Sequence, residues 1–257
     1  MSTPSPAAQP PSLSTVASPS GEASPGFFAR LVGLYVAPTE TFRAIAAHPT
    51  FLAPLLAILL VNSAFTFVWL RKADHVQLCR TQLEDAGIFD RFPPEQHAAI
   101  LERQVRLLPM LAWVGLIVGV PVVTAVMALV FLFIYRFFYA SETTFTQSLA
   151  ALTWALLTYY LLLTLLVALV MTLKDEWSVD PHTVIQASLG ALVEKSAVPK
   201  TVYVLLGELD LAWAWLLFLV SAGYAAASQR SVGSAAGGVL VLWGISVLFK
   251  VAWAAVF

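Results

Sequence analysis

Any chemistry in this chain would have to begin from a handful of side chains. His48, His75, His97 and His182 are its imidazoles, and Cys79 is its sole thiol. A membrane metalloprotease needs His-Glu-x-x-His, which sets two imidazoles and a base on one helix face. No pair of these histidines has ligand spacing, and all four lie outside the long apolar runs. A lone cysteine supports neither an internal disulfide nor a cysteine-based zinc site. A serine hydrolase needs a nucleophile and its base within reach of each other. Ser63 and Ser221 fall in or near apolar runs, but no run contains a histidine and Lys250 is the only lysine in one. No run interior holds an aspartate or glutamate, and there is no Gly-x-x-x-x-Gly-Lys phosphate loop. The sequence therefore assigns no catalytic, cofactor-binding or metal-ligating residue, calls for no cofactor, and points away from an enzyme.

The polar and small residues inside the runs have a different use. Asn62 reads as a hydrogen-bond partner between helices and Pro121 as a kink in its helix. Lys250 stands seven residues from the end, so its stem can carry the ammonium to the membrane surface. Glu208 and Asp210 fall at the mouth of the fourth run. Gly115 with Gly119, and Gly233 with Gly237, are Gly-x-x-x-Gly pairs, and Ala222 with Ala226 repeats the spacing. Small residues at that spacing let helix backbones approach where lipid offers no hydrophobic driving force between helices. They are packing candidates, within the bundle first and between copies second.

The elements that carry these residues follow from composition. Of 257 residues, 59% are apolar or aromatic and 11% charged, too little charge for an ordinary water-facing surface. A spanning helix needs roughly 20 consecutive apolar residues. Pro49–Leu70, Leu107–Tyr135, Phe145–Leu173, Leu211–Ser228 and Ser231–Phe257 are the runs without internal charge, save Lys250 in the last, whose span is placed at 235–257. In lipid every backbone polar group must be satisfied internally, so the runs should be helices. The expected fold is an all-α integral membrane protein, a five-helix transmembrane bundle with interfacial helices. Residues 1–26 hold seven Ser and six Pro with no Lys or Arg, and read as a disordered tail. Residues 27–257 read as one transmembrane domain. Net charge is −1, which supplies no basic field for nucleic acid.

The connections are of two kinds. Arg136–Thr144 and Gln229–Arg230 are tight, and Thr144 with Gln147 has capping-box spacing. Arg71–Arg106 and Lys174–Asp210 are long and share the opposite face. If the first helix continues past the membrane, Val76, Cys79 and Leu83 share a face, with Gly87 as its stop. Pro93 and Pro94 should open a helix leading into the second span. Asp180 and Pro181 should cap another, with Ile185, Leu189 and Leu192 on one side, and Lys200–Leu206 forms a further short segment. Ahead of the first span, Gly26–His48 reads as an amphipathic lead-in lying in the interface: Phe27, Phe28, Leu31, Val32, Leu34, Tyr35 and Val36 are apolar, and Pro38 starts a short helix with Phe42 and Ile45 on one face. Trp69, Trp177, Trp213 and Trp253 fall near the span ends, as in an aromatic belt.

Pro38-Thr-Glu-Thr-Phe42-Arg-Ala-Ile45, followed by His48-Pro49 and Ala53-Pro54-Leu55, resembles the start of the bacterial branch of the YIP1 family. Thr144-Phe-Thr-Gln-Ser148 resembles the opening of that family's third span. Leu209-Asp210 with Trp213 and Trp215, then Ala222-Gly223-Tyr224-Ala-Ala-Ala-Ser228, is similar to its fourth. The ordered set, from Phe27 to Phe257, carries the resemblance. It implies five transmembrane helices and a cytoplasmic N-terminus, and for bacterial-type members it supplies a fold rather than an activity. The expected function is that of a scaffold, membrane organiser or partner adaptor in a bacterial inner (cell) membrane, with a small transporter or channel subunit as the other reading. Eukaryotic members associate with small GTPases of the Rab type. Their Asp-Leu-Tyr-Gly-Pro motif is replaced here by Gly33-Leu-Tyr-Val-Ala37, so a small GTPase is not carried over. The expected partners are the lipid bilayer and a membrane protein or second copy of the chain. The basic residues are distributed four on the face of the N-terminus and tight turns against nine on the long-loop face. That count alone favours cytoplasmic long loops, opposite to the resemblance.

Overall fold

The computed structural model describes residues 25–256, so the expected tail over residues 1–24 lies outside the described residues. The described chain is helical throughout, with a single isolated bridge between Ser188 and Asp210 in place of any strand.

The first two helices form a short hairpin against the bundle. Helix α1 (Phe27–Val36) ends where Pro38 disfavours helical backbone at Ala37. Pro38 then opens α2 (Pro38–Ala47) at the position where its missing N–H costs nothing. Phe28, Val32 and Val36 recur every four residues on the exposed side of α1, while Arg30 and Leu34 are buried on the other. The buried Arg30, 4% exposed, is paired with oxygen atoms. Its Nε donates to the Pro25 carbonyl at 2.9 Å, and one terminal nitrogen donates to the His48 carbonyl at 3.2 Å and Thr50 Oγ1 at 3.0 Å. The guanidinium thus closes the carboxyl end of α2, where a cation is favoured by the helix dipole.

Five helices are long and apolar enough to span. Helix α3 (Leu52–Lys72) is the first. The second is a continuous 45-residue rod from Pro94 to Phe138: α5 (Pro94–Val114), a π-helical turn over Gly115–Gly119, and α6 (Val120–Phe138). The lead-in helix expected after Pro94 has therefore merged with the span. The kink expected at Pro121 takes the form of this wider turn directly upstream, where the Val120 N–H reaches back to the Gly115 carbonyl. A proline has no N–H to continue the ladder, and a π-turn is one way a helix absorbs the missing bond. Helices α7 (Phe145–Lys174), α9 (Leu211–Ser228) and α10 (Val232–Val256) complete the set. The 30 residues of α7 make it about 45 Å long, well beyond a hydrocarbon core of roughly 30 Å. Its first three turns are buried almost without interruption from Ser148 to Leu152 and on to Ala155, because α2, α6 and α9 enclose them.

The long-loop face differs from the sequence expectation in two places. The first span does not continue into the loop. It stops at Ala73, and Asp74 accepts hydrogen bonds from the N–H groups of Val76 and Gln77 to open a separate helix, α4 (His75–Asp85). The buried side of α4 is Leu78, Cys79 and Leu83, with Val76 exposed. Gly87 ends the element in left-handed conformation at φ 62°, where only glycine avoids a steric penalty. After α7, Asp180 does cap and Pro181 does sit in the first turn, but the result is a single 3₁₀ turn, Pro181–Thr183. A second turn covers Leu189–Leu192. No helix joins them, since the Leu189 N–H and the Leu211 N–H instead pair across with Leu209 and Ala187. Helix α8 (Lys200–Glu208) follows. Gly190 and Gly207 meet there so closely that a Cβ on Gly190 would stand 3.2 Å from the Gly207 backbone.

Candidate functional site

The densest polar construction sits inside the bundle at the end bearing the tight turns. Ser148 of α7 donates its hydroxyl to the Ala128 carbonyl of α6 at 2.7 Å. With that proton committed, the Tyr224 hydroxyl of α9 is the donor to Ser148 Oγ, also 2.7 Å away. The Tyr135 hydroxyl of α6 donates to the Ala235 carbonyl of α10. The rings of Tyr135 and Tyr224 stack 4.8 Å apart and only 3° from parallel, with the Phe131 ring tilted against Tyr224 at 4.7 Å. Thr143, in the α6–α7 turn, donates to the Ala227 carbonyl of α9 at 3.1 Å. Four spans are thereby cross-tied through side-chain hydroxyls to backbone carbonyls. In lipid such groups have no water to fall back on, so each must find a protein partner.

The lead-in hairpin is fastened to the same end. Phe42 of α2 is fully buried and lies over Gly223, where a Cβ would stand 3.2 Å from Phe42 Cε1 and 3.1 Å from Ala151 Cβ. Gln147 completes the capping box of α7 with Thr144 and also donates to the Ala46 carbonyl at 3.2 Å. The Trp154 indole donates to the Thr50 carbonyl at 2.9 Å, and the Tyr35 hydroxyl to the Thr158 carbonyl at 2.6 Å. Deeper in the bundle, Asn62 returns its amide to the Ile58 carbonyl at 2.9 Å and accepts from Thr164 at 3.1 Å, tying α3 to α7.

The remaining sequence candidates distribute unevenly. Pro49 lies in the α2–α3 turn and Pro54 is buried in the first turn of α3. Asp210 caps α9, accepting from the N–H groups of Ala212 at 2.7 Å and Trp213 at 3.0 Å, and Trp213 itself is exposed near Tyr159. Ala222 is fully buried, Ala226 partly so. Gly237 sits against the Tyr139 hydroxyl, and its neighbour Gly238 is the one that admits Ile134 and Tyr135. Gly115 and Gly233 face open space within the chain, so neither Gly-x-x-x-Gly pair acts as a matched pair within the bundle; each lends it at most one member. Lys250 does not merely extend to the surface: its ammonium pairs with Glu208 of α8 at 2.7 Å.

At the long-loop end a second apolar cluster joins Trp69, Leu78, Val167, Met171 and Trp177. Trp69 and Trp177, expected in an outward belt, are turned inward, with Lys72 4.4 Å above the Trp177 ring, whereas Trp213 and Trp253 do face outward. Cys79, on the buried side of α4, is 0% exposed, and burial pushes its thiol pKa up. Both effects suppress the thiolate that reacts with alkylating reagents. Native protein should therefore label with a maleimide at least about tenfold more slowly at pH 7 than denatured protein. Equal rates would show that α4 is not packed as described. Among the described residues no three His, Cys, Asp or Glu side chains gather as a metal site.

Sequence reading did not single out Ser148, Tyr135 or Tyr224. The available signal was a tyrosine within Ala222–Ser228, a stretch otherwise made of small residues, where a large ring must fill space that small neighbours open. No curated protein and no solved structure matches the chain. The family model described as the Yip1 domain matches residues 32–254, from α1 through α10. The match covers the tied end, the lead-in hairpin from the second half of α1 onward, and the five spans to residue 254, and the chain belongs to the Yip1 domain family.

Proposed function

We propose that this protein is a non-enzymatic membrane scaffold or partner adaptor, with its N-terminal face in the cytoplasm of a bacterial cell and its long-loop face outside. The observation that carries the reading is the use made of polar groups in the spans. Ser148, Tyr224, Tyr135, Thr143, Asn62 and Thr164 all bond across to another helix. Groups arranged in this way hold a shape. The shape presents α4, the projecting start of α5 and α8 as a platform beyond the membrane. Photo-crosslinkers placed at the exposed Gln77 and Glu95 should trap a reproducible membrane-protein partner in intact cells, and the same groups at lipid-facing Leu248 should not. Trapping only lipid at all three positions would sink the adaptor reading.

The π-turn over Gly115–Gly119 favours a second reading, a small transporter or channel subunit, since broken spanning helices often line substrate paths. That reading requires solute flux in proteoliposomes and a loss of flux in Asn62→Ala. The sidedness is tested in a Cys79→Ala background, because the native thiol is buried. A cysteine at Glu95 should label from outside intact cells, and one at Glu142, in the α6–α7 turn, only after permeabilisation. The basic-residue distribution supports the reverse, and the reverse labelling would place the long loops in the cytoplasm.

A further inference from the structure

At the end bearing the tight turns, α2 and the α9–α10 turn leave a cavity of about 360 Å³ open to the outside. Thr39 and Arg43 line it from α2, and Gln229, Arg230, Ser231 and Val232 from the turn and the start of α10. We propose that this cavity binds the phosphate of an anionic phospholipid headgroup. Three features converge. Two arginines face one space that no carboxylate lines, an arrangement of like charge that an anion relieves. Arg230 is already oriented, because one guanidinium nitrogen donates to the Tyr139 carbonyl at 2.9 Å, and the planar fork leaves further N–H groups to donate. The cavity also opens at the start of α10, where the Ser231 hydroxyl accepts from the Ser234 N–H at 3.3 Å and the Val232 and Gly233 N–H groups, without intrahelical acceptors, favour an anion.

The location selects the lipid over a dissolved anion. The α9–α10 turn separates two spans, so the cavity stands at headgroup depth. The other helix of the same hairpin, α1, turns Phe28, Val32 and Val36 outward, an apolar stripe suited to the acyl region. Thr39, Gln229 and Ser231 add neutral donors that can complete the shell of a phosphate.

The test uses full-length protein purified in mild detergent, with phosphatidylglycerol or phosphatidylcholine added and retained lipid counted by native mass spectrometry. Phosphatidylglycerol should be retained and phosphatidylcholine should not. Arg43→Gln should weaken retention about fivefold, from about 1 kcal/mol per basic contact; no structural bond of Arg43 is lost with it. Arg230→Gln should weaken it at least as much, and Arg230→Lys should restore part of the loss. Arg136→Gln, a charge change on the same face outside the cavity, should leave retention unchanged. If Arg43→Gln and Arg136→Gln fall equally, attraction is diffuse and the site is refuted. If inorganic phosphate at millimolar concentration displaces the lipid from wild type, the cavity is a free-anion site and the lipid assignment is overturned. Thermal midpoints of each variant, matched to wild type without lipid, separate lost binding from lost folding.

Discussion

Trp154→Ala should cost about 3–5 kcal/mol of stability, the range for removing a fully buried large aromatic. Trp154 is 1% exposed, the largest fully buried side chain in the bundle. It lies between Phe27 of α1, with ring centroids 5.2 Å apart, and the Thr50 carbonyl that receives its N–H. The truncation therefore opens a large void and leaves an unpaired carbonyl at the start of the first span. Trp154→Phe keeps most of the volume and should lose only about 1 kcal/mol, for the missing hydrogen bond. Leu248→Ala is the control, since Leu248 is 69% exposed toward lipid. Heat unfolding in detergent gives the comparison. A Trp154→Ala midpoint equal to that of Leu248→Ala would mean that the lead-in hairpin does not dock on α7.

Phe42→Ala should be almost as costly, about 3–5 kcal/mol, and its partner offers an inverse test. Phe42 fills the space over Gly223, and a Cβ on Gly223 would press within 3.2 Å of both Phe42 and Ala151. Gly223→Leu overfills the same contact and should cost at least about 1–3 kcal/mol. Combining Gly223→Ala with Phe42→Leu exchanges volume across the junction. The double variant should be more stable than the sum of the single losses by about 0.5–3 kcal/mol, the range for residues in contact. Strict additivity would show that α2 is held by its backbone bonds and not by this ring. Limited proteolysis of α2 gives an independent readout, because a detached hairpin exposes the Ala37 and His48 junctions.

The number and order of the spans were legible because their signal is one-dimensional: an apolar run of sufficient length between charges. Helix starts were equally plain where one side chain decides them. Thr144 with Gln147 caps α7 and Pro38 opens α2 as expected, while Asp180 caps only a 3₁₀ turn in place of the expected helix. The misreadings arise where the decision is tertiary. Apolar periodicity carried the first span through Ala73, but the Asp74 carboxylate accepts from the Val76 and Gln77 N–H groups and opens a separate helix. The stretch from Ile185 to Leu192 has helical spacing, yet its backbone pairs with Leu209 and Leu211. Gly-x-x-x-Gly marks where backbones are able to approach without saying which partner arrives. Gly238, outside either pair, received Tyr135, and Gly115 received nothing. The bonds of Tyr135, Tyr224 and Ser148 were not legible for the same reason: their partners lie 20 to 100 residues away.

The tie between Tyr135 and Ala235 has a bearing on how the protein is made. The acceptor belongs to α10, the last described helix, whereas the hydroxyl belongs to α6. During synthesis α6, α7 and α9 can assemble Ser148, Tyr224 and the stacked rings, but the Tyr135 hydroxyl then waits without its acceptor at the tight-turn end of the bundle. Helix α10 answers it, and the same helix brings Lys250 to Glu208 at the far end. One late insertion thus closes both ends of the bundle. A chain that lacks α10 is left with a Tyr135 hydroxyl and a Glu208 carboxylate without the partners they have in the finished bundle.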